Sequence, residues 1–122
     1  MNRLLLTALL LGLVPAAAAQ TAQPLPFTQD WSNTGLITAN DNWGGVPGVV
    51  GYLGTVAANT TDIDPRTILE DRSGAIDVIA NQTNPNTNTA GGVAEFELAN
   101  PVVALQGSGT ADAPHLVIRI DA

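Results

Sequence analysis

The chain has 122 residues, four arginines and no lysine against eleven carboxylates, one histidine and no cysteine, for a net charge of −7. That balance argues against direct nucleic acid binding and against anionic membrane surfaces, both of which need clustered cations. The missing cysteine removes disulfides and lipid anchoring through a thiol, and with one histidine it leaves no donor set for zinc.

Residues 1–19 read as a signal peptide. Arg3 supplies the positive start, Leu4 to Val14 is a run of aliphatic and small residues, and Pro15 breaks it. Ala17 and Ala19 occupy the small-residue positions that a signal peptidase reads, so cleavage is expected before Gln20. The apolar run is about eleven residues, short of the roughly twenty that span a bilayer as a helix. The mature chain is therefore expected to be secreted, extracellular or at the cell surface, with no membrane span after cleavage. Its remaining length suits one domain and not two.

Residues 20–26 (QTAQPLP) read as a short extended linker. From Phe27 onward, short apolar runs alternate with Gly, Asn, Asp, Thr and Pro clusters, the texture of an all-β domain. The predicted strands are Phe27–Trp31, Leu36–Thr38, Val49–Leu53, Ile76–Ala80, Val93–Leu98, Val102–Leu105 and His115–Ile120. In Val93–Leu98, alternation sets Ala94, Phe96 and Leu98 toward a core and Glu95 and Glu97 toward solvent. In the last run, Leu116, Ile118 and Ile120 form the predicted buried face, opposite Val117 and Arg119. Half-buried strands of this kind predict an antiparallel β-sandwich.

One helical turn is predicted, with Asp64 as N-cap, Pro65 at the first position, Arg66 to Leu69 continuing it and Gly74 as a stop. Asn81 to Gly92 is a polar loop. The chain ends at Asp121-Ala122 directly after an apolar strand, which would leave that strand with an open edge. Residues 27–122 thus read as a β-sandwich domain truncated at its C-terminus.

Material for catalysis is sparse. A Ser-His-Asp arrangement would have to use His115, with Asp112 and one of Ser32, Ser73 or Ser108. Gly107-Ser108-Gly109 lacks the Gly-x-Ser-x-Gly elbow, and loop glycines explain it more simply. Glu95 and Glu97 are a carboxylate pair on one strand face, roughly 6.5–7 Å apart, but a solvated face explains them too. The glycine-rich stretch from Gly44 to Gly54 lacks the lysine of a phosphate loop and reads as a tight turn leading into a strand. The chain is read as not an enzyme.

Two binding readings remain. Asn40-Asp41-Asn42 and Asp62-x-Asp64 carry the loop oxygens that calcium prefers, so Asp41 and Asp62 are the candidate metal ligands. Asp62 to Arg66 departs from a calcium loop, with an arginine at the fifth position and no turn glycine. Among Trp31, Trp43 and Tyr52, Trp43 sits in the polar Asn40–Gly45 run and is the candidate for stacking on a sugar ring.

The segments Phe27 to Thr38, Asp41-Asn42-Trp43, Gly45 to Gly48, Asn81 to Thr87, Gly91 to Phe96 and Ala104 to Pro114 together resemble an N-terminal, jelly-roll-like region of large secreted bacterial multidomain proteins. Some of those relatives carry a downstream extracellular endonuclease/exonuclease/phosphatase or lamin-tail-like domain. The resemblance covers nearly the whole mature chain and implies fold and location; no nuclease residue carries over from it, and relatives continue past the position of Asp121. The sequence therefore points first to an exported, non-catalytic accessory or adhesion-type module, a fragment of a larger extracellular protein. Its partner would be an extracellular polysaccharide or a cell-surface component. The alternatives are a carbohydrate-binding module with structural calcium, and the accessory region of a secreted nuclease or phosphatase.

Overall fold

The computed structural model describes residues 21–55, 64–86 and 91–122. The predicted signal peptide and its cleavage site, Asp62, and residues 87–90 of the polar loop lie outside the described residues. Regular structure is almost entirely β. The strands are β1 (Gln23–Pro24), β2 (Val49–Tyr52), β3 (Ile79–Gln82), β4 (Gly92–Phe96), β5 (Val102–Gln106), β6 (His115–Ile118) and β7 (Ile120–Asp121), with single 3-10 turns at Thr34–Leu36 and Pro65–Thr67. The fold is all-β.

The strands make three small sheets, β1–β7, β2–β6 and β3–β4–β5. Pairs β2–β6 and β4–β5 are antiparallel, with Val49 opposite Ile118 and Ala94 opposite Ala104. The expectation of a purely antiparallel arrangement is corrected by β1–β7 and β3–β4, which run parallel. Two residues of the expected linker, Gln23 and Pro24, lie beside Ile120 and Asp121.

One core draws on several of these pieces. Ile37, Trp43, Val46, Val49, Val50, Tyr52, Val78, Ala80 and Val93 form a buried cluster, with Leu53, Val103, Leu116 and Val117 packed against it. Strand β2 is buried along its whole length and packs against β4. Gly51 of β2 has to be glycine because a Cβ there would overlap the Trp43 ring.

Three local expectations fail for identifiable reasons. Phe27–Trp31 is not a strand, because Gln29 Oε1 and Asp30 Oδ1 accept the amides of Trp31 and Ser32, both at 3.0 Å. These side chains offer the backbone an alternative to a ladder, and Trp31 takes φ 61°. Leu36 falls in a 3-10 turn rather than a strand, since Asn33 caps it through the Gly35 amide. The Asp64 cap forms as expected, but the turn it opens closes at Thr67.

Two buried faces are also corrected. Glu95 is 4% exposed, not solvated: every residue of β4, the central strand of its sheet, is buried from Gly92 to Phe96, and the Glu95 carboxylate accepts the Asn81 amide. On the last run, Ile118 is 54% exposed and Ile120 is exposed as well, while Leu116 and Val117 are partly buried against the core. The chain changes partner at Arg119: its N–H donates to Gly48 O at 2.8 Å and its carbonyl accepts from Gln23 N at 2.9 Å. A break between β6 and β7 ends the two-residue alternation on which the prediction rested.

Candidate functional site

The densest polar arrangement lies where the loop around residues 38–43 runs beside β3 and the residues leading into it. Asp41 N donates to Val78 O at 2.9 Å. Asn40 Oδ1 accepts from Ala80 N at 2.9 Å, Asp41 Oδ1 from Asp77 N at 3.2 Å, and Asn81 Nδ2 donates to Thr38 O at 3.0 Å. Asp41 sits at φ 60°, a conformation that aspartate and asparagine tolerate better than most residues. Side chains here supply the hydrogen bonds a neighbouring strand would have made.

This geometry changes the reading of the predicted calcium ligands. Asn40, Asp41 and Asn42 each turn a side-chain oxygen onto a backbone amide, Asn42 onto Gly44 N at 2.9 Å. Asp64 is engaged too: its carboxylate accepts from Arg66 N at 3.0 Å and from the Arg66 guanidinium at 2.6 Å, which holds the carboxyl below its usual range. Asp62 lies outside the described residues, and no group of three or more acidic or histidine side chains among the described residues is arranged to hold a metal ion.

Trp43 is corrected from sugar platform to core residue. It is 5% exposed, its ring meets Trp31 edge to face at 6.5 Å and 70°, and it lies against Gly51. The polar run around it is a turn, closed by Val46 N donating to Trp43 O at 2.9 Å, and the turn folds the indole inward. A ring so covered has no face to offer a sugar. Its Nε1 is buried without a hydrogen-bond partner and faces the Asp77 carboxyl, whose Oδ1 is likewise buried and unpartnered. Burial pushes the Asp77 carboxyl up to about 7, reinforced by the charge of Asp41, a hydrogen bond with Asp41 and the charge of Asp71; the Trp43 N–H acts in the opposite direction.

Glu95 and Glu97 do not form an acid–base pair on an open face. Glu95 Oε2 accepts from Asn81 N at 2.7 Å inside the protein, while Glu97 is exposed. Burial raises the Glu95 carboxyl, the Asn81 amide works against this, and the charge of Glu97 adds to it. The other Glu95 oxygen, Oε1, is buried with no partner.

His115 stacks on Tyr52, ring centroids 5.5 Å apart at 27°. Its Nδ1 lies 2.7 Å from Ala113 O and its Nε2 3.0 Å from Ile68 O. Both ring nitrogens thus face backbone carbonyls, which only accept, so neither is turned to a serine. Ser108 Oγ accepts from Thr110 N and Ala111 N at 3.2 and 3.1 Å, closing a turn. The sequence-proposed triad is not assembled.

Asp71 was not singled out from the sequence, yet its carboxylate receives Leu53 N at 2.8 Å, Thr55 N at 3.1 Å and Thr55 Oγ1 at 3.2 Å. Thr55 Oγ1 in turn accepts from Arg72 N at 2.8 Å. Beside this latch an open cleft of about 220 Å³ is lined by Thr55, Arg72 to Ala75, and Gly109, Thr110 and Asp112. That volume is below the roughly 300–1,000 Å³ of small-molecule pockets. Asp77 was missed as well. The visible signal for it was a lone carboxylate between Ile76 and Val78; its partner Asp41 lies 36 positions away, beyond any local motif.

No protein-family model matches the chain, and neither the curated proteins nor the solved structures yield a match.

Proposed function

We propose that the chain is an exported, non-catalytic module of accessory or adhesion type, built as a jelly-roll-like β-sandwich. One observation carries the non-catalytic part: the side chains with chemical potential are engaged with the backbone. His115 faces two carbonyls, Asp71 holds two amides and a hydroxyl, and Asn40, Asp41 and Glu95 each hold an amide. Such groups serve the fold before they serve a substrate. The sandwich reading is supported by residues of β2, β3 and β4 meeting in one core, with Leu116 and Val117 of β6 and Val103 of β5 packed on it. Export rests on the Arg3, Leu4–Val14 and Ala17/Ala19 pattern, and the module's association with a cell-surface component or polysaccharide rests on the resemblance to secreted bacterial multidomain proteins.

The test is expression of the chain with its own N-terminus in a bacterial host. The reading predicts a product outside the cytoplasm that begins at Gln20, cosediments with cell-wall or polysaccharide preparations, and turns over no phosphodiester, phosphomonoester or glycoside. Cytoplasmic retention of an uncleaved chain would overturn the export. Turnover abolished by His115→Ala or Glu95→Gln, in a variant that stays folded, would overturn the non-catalytic assignment.

A further inference from the structure

The three-stranded sheet treats its two edges differently. Along β3 the neighbouring loop supplies partners: Asn40 Oδ1 accepts from Ala80 N, and Thr38 O accepts from Asn81 Nδ2. At the other edge, β5 is bonded to β4 alone. Which of its backbone groups lie open follows from β4. Glu97 N, just past β4, donates to Gln82 O at 2.7 Å, so that position turns toward β3. Main-chain groups alternate sides along a strand, so Phe96 and Ala94 turn toward β5 and bond to Val102 and Ala104. Val103 and Leu105 therefore point their N–H and C=O groups away from the sheet. Among the described residues, neither has a hydrogen-bond partner on that side.

Natural edge strands are blunted by charge, proline or a bulge. Within Val102–Gln106 there is none of these: the register against β4 is unbroken, and residues 99–111 contain no ionisable side chain in a chain of net charge −7. Leu105 is 43% exposed, on the face where Val103 packs against the core. We propose that β5 pairs with β5 of a second copy of this chain, antiparallel and two-fold symmetric about Ala104. In that register Val103 lies opposite Leu105 of the second copy, and Leu105 opposite its Val103. Each such pair exchanges both of its outward N–H···O=C bonds, so only residues whose backbone groups point outward meet as bonded pairs. The facing Val and Leu side chains cover one another, which buries the exposed Leu105. Two strongly acidic molecules repel across most approaches, whereas this edge brings two uncharged strands together. The pairing uses the same strand on both copies and closes at two.

The test is analytical ultracentrifugation of the purified protein from roughly 1 μM to 1 mM, with amide hydrogen exchange at low and high concentration. The expected result is a reversible monomer–dimer equilibrium. The Val103 and Leu105 amides exchange fast when dilute and become protected when concentrated, while Val102, Ala104 and Gln106 stay protected throughout by the β4 ladder. Leu105→Pro removes an outward N–H without touching that ladder, and weakens association at least about tenfold. Leu105→Glu weakens it too, by setting two carboxylates diagonally across the axis, and mixing it with Leu105→Arg restores the dimer. A monomer at every concentration would overturn the proposal and leave the edge to a different chain. A dimer that neither Leu105→Pro nor Leu105→Glu weakens would put the interface elsewhere and refute it, as would open-ended polymers. If Leu105→Pro does not fold, the Leu105→Glu and Leu105→Arg mixture decides: no gain over either variant alone contradicts the register.

Discussion

Replacing Asp71 by alanine removes the acceptor of three hydrogen bonds that join the end of β2 to a segment 16 to 18 residues later. Thr55 is 8% exposed, so its amide cannot turn freely to water, and its hydroxyl also accepts the Arg72 amide. A hydrogen bond to a charged group is worth about 1.5–3 kcal/mol, and an orphaned buried donor costs about 1–3 kcal/mol. The three bonds share one partly exposed carboxylate, so they do not add, and a total loss of about 3 kcal/mol follows. At about 4–8 °C per kcal/mol for a domain of this size, the melting temperature falls by roughly 12–24 °C. Asp71→Asn keeps one carbonyl oxygen and is expected to lose about half as much. Differential scanning calorimetry with urea unfolding measures both. A fall of under about 3 °C for Asp71→Ala would refute the reasoning, since it would mean that Leu53 and Thr55 find equivalent partners.

Three further substitutions probe the core and its buried acid. Gly51→Ala drives a methyl group into the Trp43 ring and is expected to cost about 1–3 kcal/mol by overpacking, read from urea midpoints. Trp43→Ala empties the centre of the cluster and is expected to cost about 3–5 kcal/mol, a large share of a small domain's stability; a loss below about 1 kcal/mol would return the indole to the surface. Glu95 is an acid raised by burial, so the stability it contributes fades as pH rises through its folded value. Glu95→Gln is therefore expected to flatten the decline of unfolding free energy between mildly acidic and alkaline buffer, and an unchanged slope would contradict the burial of that carboxylate.

Strand positions were legible where apolar runs were bounded by turn residues: Val49–Tyr52, Gly92–Phe96, Val102–Gln106 and His115–Ile118 all fall on or beside predicted runs. What local pattern could not give was which strand is central. Alternation around Glu95 reads as half-buried, but every residue of β4 is buried, so both of its faces are covered. The pattern also could not show that Gln29 and Asp30 capture amides a strand would need, or that a polar turn folds Trp43 inward. The candidate site was half visible. Asp41 was marked by its Asn-Asp-Asn setting, but its significance comes from Asp77, which only the tertiary fold brings to it.

The central claim is that the polar side chains of this protein complete its backbone hydrogen bonding. Amide hydrogen exchange by nuclear magnetic resonance tests it most directly at Leu53, Thr55, Asp77, Ala80 and Asn81, whose N–H groups are held by the side chains of Asp71, Asp41, Asn40 and Glu95. The account predicts that these five amides are protected alongside the β4–β5 ladder, with Leu53 and Thr55 losing protection together in Asp71→Ala. Exchange of the five at rates typical of open loops, while the ladder stays protected, would contradict it.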